Sequence, residues 1–186
     1  YFQKDYNLTG YIPVLAEGKG VLVLNQFFGS STVLKKGTVD KSQYVCDNTA
    51  KPGCQAILNE LYARQVAEAD NGKATSLGGT NRLRGYRTNR FYDSYTNFRG
   101  AEFRWYVHEA QNAFNYFLEK GTFAGLQLAF FYEQGTVSPD RGSLWKNMRS
   151  SYGAGTRFLF NSIIVRIDRG FGEEGGQTTF FVGYPF

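Results

Sequence analysis

Apolar side chains in this chain recur at every second position in one segment after another, and uninterrupted apolar runs are no longer than residues 128–132. A strand turns successive side chains to opposite faces, so a period of two builds sheet with one apolar face per strand. A membrane-spanning helix needs about 18 consecutive apolar residues or more, which excludes a helical membrane bundle. Residues 178–186 set Phe180, Val182, Tyr184 and Phe186 on one face, and Tyr184 and Phe186 give the last strand a terminal aromatic signal. Residues 163–169 alternate Ile163, Val165 and Ile167 with Ile164, Arg166 and Asp168. Residues 152–160, 123–134 and 101–107 repeat the pattern, with Arg157, Glu133, Glu102 and Arg104 on their less apolar faces. Residues 6–15 and 21–28 read as two more strands, joined by a Gly-containing turn. Seven strands are visible in this way.

The 186 residues amount to one domain. The 17 Phe, 13 Tyr and 2 Trp exclude a disordered chain, and neither a Gly-X-Y period nor a sustained heptad is present. A Gly- and aromatic-rich chain of this kind suits a soluble β-domain or an outer-membrane barrel. Connection lengths separate the two. Residues 16–20 and 161–162 are short connections on one side; residues 30–97, 135–151 and 170–177 are long ones on the other, as in a transmembrane barrel with short periplasmic turns. Residues 108–122 break that rule, and their Phe114, Tyr116, Phe117 and Leu118 read as a small packed or interfacial turn. The expected fold is therefore all-β: an antiparallel transmembrane β-barrel of about eight strands per chain. A long extracellular loop at about residues 30–97 would carry a helix at residues 57–70. Residues 4–186 form the barrel domain; Tyr1-Phe2-Gln3 resembles the end of a protease-cleavable tag, although it can still pair as strand.

The net charge of +5 comes from 21 basic and 16 acidic residues that are interspersed, so no nucleic-acid partner is expected. Cys46 and Cys54 lie in a polar stretch with neither a second Cys pair nor a His nearby to complete a zinc site. They read as a loop disulfide, which belongs to an oxidising compartment; two unpaired thiols are the alternative. No metal and no cofactor is implied. His108 is the only His and reads as a rim or turn residue, and Ser76 follows Ala74-Thr75 rather than the Gly-x of a nucleophile elbow. Glu173 and Glu174, adjacent in a Gly-rich outer loop, read as solvated. No catalytic residue is assigned, and the chain is expected not to be an enzyme.

Residues 78–86 read Gly-Gly-Thr-Asn-Arg-Leu-Arg-Gly-Tyr, and residues 131–135 read Phe-Tyr-Glu-Gln-Gly. In these two motifs, in this order and with five strands after the first, the chain resembles the outer-membrane protein assembly superfamily, the BamA-like and surface-antigen barrels. The resemblance spans roughly residues 6–186. It implies that Leu83-Arg84-Gly85-Tyr86 sits at the tip of a long outer loop folded back inside the barrel, with Arg84 held by Glu133. The residue types fit such a latch. Arg84 offers a planar donor fork, Gly85 lets the backbone turn tightly against the wall, and Tyr86 adds an amphipathic anchor. Glu102, Arg104, Arg157, Arg166 and Asp168 share polar faces of neighbouring strands; they either extend a lumen network or merely line a wet lumen. Arg82, Arg84, Arg87 and Arg90 would contact lipid phosphates were the loop at the surface. Exchanging the charges of Arg84 and Glu133 should partly restore the stability that either single replacement removes.

Phe181 stands where family barrels place a Gly, and Pro185 cannot donate to a ladder. Family barrels have about sixteen strands and soluble periplasmic repeats before them, so about half a family barrel is expected here. A closed barrel of about eight strands is filled by its own side chains and cannot admit the long loop. Either upstream strands lie outside this sequence or two copies associate, with a dimer favoured. The resemblance implies insertion or transport of outer-membrane components or lipid at the bacterial cell outer membrane. The partners implied are outer-membrane lipid, client proteins and a second copy. The alternatives are a passive structural or pore-forming barrel, and the membrane anchor of a patatin-like phospholipase.

Overall fold

The computed structural model describes residues 1–47, 52–116, 119–160 and 163–183. They build one seven-stranded antiparallel sheet whose spatial order is the order along the chain. Its strands are β1 (Phe2–Pro13), β2 (Gly20–Thr32), β3 (Tyr95–Tyr116), β4 (Glu119–Ser138), β5 (Arg149–Phe160), β6 (Ile164–Gly172) and β7 (Gly175–Val182). The described strands thus number seven rather than eight. β1 and β7 are the two edges of the sheet. The terminal signal Tyr184 and Phe186 lies outside the described residues, as do Pro185 and the connection at residues 161–162.

Two expected connections are strand instead. Residues 170–177 hold no long loop: Gly172 pairs with Gly175, and Glu173 and Glu174 alone form the turn between β6 and β7. Gly-rich sequence ordinarily marks a loop, but glycines in β6 serve a close backbone approach described below. Residues 108–116 continue β3 and residues 119–122 continue β4, with register shifts between Tyr106 and His108 and between Glu109 and Asn112. His108 is therefore an exposed strand residue beside a bulge. β2 leaves this ribbon at the Gly20–Trp105 pair and β5 leaves it at the Phe160–Phe123 pair. Beyond those points, among the described residues, the two strands pair only with each other, so no neighbouring strand demands an apolar face. Phe117 and Leu118 lie outside the described residues.

One face of the sheet buries polar and charged side chains while the other exposes large apolar ones. On β4 the buried series is Gln127, Ala129, Phe131 and Glu133, while Phe130 and Tyr132 are each 50% exposed. Leu8, Leu24, Trp105, Tyr152, Ile167 and Phe180 are likewise exposed on the other strands. Large apolar surface of this kind marks a face that meets another protein, a ligand or a membrane. The opposite face is covered by the segment between β2 and β3. Its Leu77, Leu83 and Tyr86 pack with Phe27 and Phe98 of the sheet. The same segment carries α1 (Cys54–Asn71), one residue or a few longer than expected at each end, and α1 buries no side chain. The Cys46–Cys54 disulfide, with a Cα–Cα distance of 6.2 Å, ties the approach to α1 to its first residue. The Tyr44 and Tyr62 rings meet at a tilt across that joint, 5.5 Å apart.

Candidate functional site

The site begins with a folded-back loop. Leu77 and Phe91 bridge its base through reciprocal backbone hydrogen bonds of 2.8 and 3.0 Å. Gly78, at φ 103°, donates to the Arg82 carbonyl at 3.0 Å, and a Cβ at Gly78 would lie 2.2 Å from the Arg87 carbonyl oxygen. The tip is a turn in which the Tyr86 N–H donates to the Leu83 carbonyl at 3.0 Å. Leu83 occupies the left-handed region at φ 52°, a conformation disfavoured for a branched side chain. Its complete burial in the apolar cluster offsets that strain.

The wall that receives the tip is made of glycine. A Cβ on Gly85 would stand 2.5 Å from the Phe171 carbonyl carbon, one on Gly170 would stand 2.7 Å from the Arg84 carbonyl carbon, and one on Gly172 would stand 2.6 Å from the Tyr86 ring. At Gly85 and Gly170 backbone therefore lies directly on backbone, at Gly172 it lies against the Tyr86 ring, and a side chain at any of the three would clash. Sequence reasoning found Gly85 but missed Gly170 and Gly172, because it placed both in a loop.

With the tip seated, Arg84 is fully buried among three carboxylates from three strands. Its Nε donates to Glu133 Oε1 of β4 at 2.7 Å and its backbone N–H donates to Glu133 Oε2 at 2.8 Å. Its Nη1 lies 2.7 Å from Glu102 Oε2 of β3 and 3.0 Å from Asp168 Oδ2 of β6. The guanidinium carbon stands 3.5 Å over the Phe131 ring, so an aromatic face closes the side that no carboxylate occupies. Ser151 of β5 donates its hydroxyl to Glu133 Oε2 at 2.8 Å. That serine was also missed, although it shares the inward parity of Gly153, Gly155 and Arg157 on β5.

The remaining charged residues join the same cluster. Arg104 donates to Glu102 Oε1 at 2.7 Å, Arg157 bridges Glu102 at 3.3 Å and Asp168, and Arg166 lies 3.7 Å from Asp168. Arg166 also donates to the Thr80 carbonyl and, at 3.2 Å, to the Asn81 side chain, so it holds the loop as well. Its other face covers the Phe181 ring at 4.8 Å. Four guanidinium groups thus meet three carboxylates, all of them almost wholly withdrawn from solvent. A buried charge is tolerated only when paired and hydrogen-bonded; here each carboxylate binds at least one arginine from another element.

Tyr86 fixes the outer end of the tip. Its hydroxyl donates to the Ser150 carbonyl and accepts from the Glu173 N–H, both at 3.1 Å, and its ring meets Phe91 edge-on at 5.0 Å. At the rim, Arg90 makes a two-pronged contact with Glu174 at 2.8 Å and Arg149 pairs with Glu173 at 2.7 Å. The two glutamates are exposed but ion-paired rather than simply solvated. Arg82, expected to meet lipid phosphates were the loop at the surface, stacks 3.8 Å over Phe27 instead.

Chemically, the arrangement immobilises a loop: one guanidinium joins a backbone turn to three strands. In comparisons with protein-family models, curated proteins and solved structures, nothing matches this chain.

Proposed function

We propose that this chain is wall and internal loop of an outer-membrane β-barrel of the BamA-like kind, acting in the insertion or transport of outer-membrane components or lipid. One observation carries the reading: Arg84, at the tip of a folded-back loop, is shared by Glu102, Glu133 and Asp168 on the inward face of a sheet whose outward face is apolar. A loop clamped in this way stiffens the middle of the wall and leaves the two edge strands, β1 and β7, as the parts free to pair differently. Bare strand edges cannot persist in a bilayer, so each edge is to be satisfied by further strands or by a second copy of the chain. The role proposed for the chain itself is non-catalytic.

The reading is tested by refolding the chain into liposomes and measuring how fast an unfolded outer-membrane barrel inserts into them. Faster client insertion than into empty liposomes, reduced by Arg84→Ala, is the expected result. Steady ion conductance without any effect on client insertion would instead favour a passive pore. The native mass in detergent reports whether two copies associate.

A further inference from the structure

The outward face is not uniformly apolar. Register places Gly10, Leu24, Ala101 and Tyr132 in one row across β1 to β4, and Leu8, Gln26, Arg99 and Gln134 in the next row towards the long-loop rim. Gly10, which has no side chain, and Ala101, with only a methyl, leave a groove of about 540 Å³ between their larger neighbours. A second depression of about 500 Å³ shares Ala101 and Tyr132 with it and leads on past Leu22 and Phe103 towards the short-turn rim. Arg99 sits at the other end. Its Nε donates to Gln134 Oε1 at 2.9 Å, and the Gln134 amide in turn donates to the Tyr132 hydroxyl at 3.0 Å. Among the described residues no carboxylate pairs with Arg99. An outward arginine on a barrel costs about 2–4 kcal/mol at mid-bilayer and about 0–1 kcal/mol near the interface. Gln134 holds this one against the wall, where a counter-charge from the surrounding phase would satisfy it.

We propose that this groove binds an anionic, phosphate-bearing lipid, its phosphate against Arg99 and its acyl chain along Leu8, Gly10, Leu24 and Ala101. The chemistry is complementary at both ends. Gln134 takes the Nε–Nη2 edge of the guanidinium and leaves its Nη1–Nη2 edge for phosphate oxygens, and the apolar furrow runs away from it for the chain to follow. The inference rests on the membrane-barrel reading, since only then does this face meet lipid.

The experiment uses the detergent-folded chain and native mass spectrometry with dimyristoyl phosphatidylglycerol, dimyristoyl phosphatidylcholine and inorganic phosphate as probes. Phosphatidylglycerol is expected to bind about fivefold more tightly than phosphatidylcholine, the factor that about 1 kcal/mol per basic residue provides. Inorganic phosphate alone is not expected to bind. Arg99→Gln should abolish the preference, and Ala101→Trp should fill the groove and weaken both lipids. Equal binding of the two lipids, or an unchanged preference in Arg99→Gln, would overturn the proposal. So would undiminished binding in Ala101→Trp, which would assign the preference to diffuse surface charge. Insertion into liposomes, followed by the heat-dependent gel shift of a folded barrel, is measured separately on the same variants. Insertion without lipid preference defeats this site alone; failure to insert defeats the barrel reading and the site together.

Discussion

Arg84 grips Glu133 twice, through Nε to one carboxylate oxygen at 2.7 Å and through its own backbone N–H to the other at 2.8 Å. The carboxylate therefore senses both the side chain and the path of the loop. Arg84→Ala removes one cation from three buried carboxylates and is expected to destabilise the folded chain by about 3–5 kcal/mol, as breaking a buried ion pair does. Arg84→Lys should recover little, because a single ammonium cannot reach Glu133, Glu102 and Asp168 from one position. Thermal melting of the liposome-inserted chain measures both. The charge exchange expected from sequence to restore stability should fail, since a glutamate at position 84 would face Glu102 and Asp168. Recovery in the exchanged double variant would show that Glu133 alone holds the loop.

The glycine contacts make a separate prediction. Gly85→Ala and Gly170→Ala each place a methyl group within 2.7 Å of backbone, so each should unseat the loop. Gly10→Ala, with nothing within 4 Å of the added methyl, is the control expected to be neutral. Accessibility of the loop to protease, compared across the three variants, checks the ranking. A resistant Gly170→Ala loop would mean that β6 can retreat from Arg84.

What the sequence made legible followed from burial. Where the two faces of a strand meet different surroundings, as at Phe130 and Phe131 or at Arg166 and Ile167, alternation is enforced and the strand can be read. The β3–β4 ribbon beyond Trp105 and Phe123 loses that contrast once its neighbours stop, and so does its signal. The β6–β7 hairpin was missed for another reason: glycine there records the approach of Arg84 and Gly85, a contact between positions more than eighty residues apart that no local pattern carries. The Arg84–Glu133 partnership was legible only through two short motifs. The sharing of Arg84 with Glu102 and Asp168 was not, because inward parity shows that charges share a face without showing which of them touch.

The surplus of guanidinium groups in the cluster predicts an asymmetry. Asp168 serves Arg84, Arg157 and Arg166 together, whereas Arg166 has carbonyl and aromatic partners besides its ion pair. Asp168→Asn should therefore destabilise more than Arg166→Gln, by about 2 kcal/mol or more, because it leaves several buried cations short of a counter-charge. Chemical denaturation of both variants in the same detergent tests this. Equal losses would mean that Glu102 takes over the arginines that Asp168 releases.

Tyr86→Phe deletes one hydroxyl that both donates to Ser150 and accepts from Glu173. Two hydrogen bonds of ordinary strength contribute about 1 kcal/mol each, and the ring packing on Phe91 is retained. A loss of about 2 kcal/mol with the loop still seated is expected, read by hydrogen exchange at residues 83–86 beside thermal melting. Unseating of the loop would assign the tyrosine hydroxyl a larger share of the anchoring than Arg84.

The rim contact between Arg90 and Glu174 gives the loop a pH dependence whose sign is fixed. The Arg90 hydrogen bonds, and then its charge, hold the Glu174 carboxyl below its ordinary value of 4.5, and Glu174 in turn raises Arg90. A carboxyl depressed in the folded state adds stability that is present above its ordinary value and is lost as pH falls through the depressed one. Both groups are exposed, so the effect is confined to the rim and is weakened by salt. Hydrogen exchange around residues 87–92 should therefore quicken as the pH is lowered from 6 towards 3 at low ionic strength, while residues 83–86 stay protected by the buried cluster. Glu174→Gln should show the faster exchange already at pH 6 and respond less to acid. If that variant and the parent chain respond alike, the Arg90–Glu174 contact is not the source of the acid sensitivity.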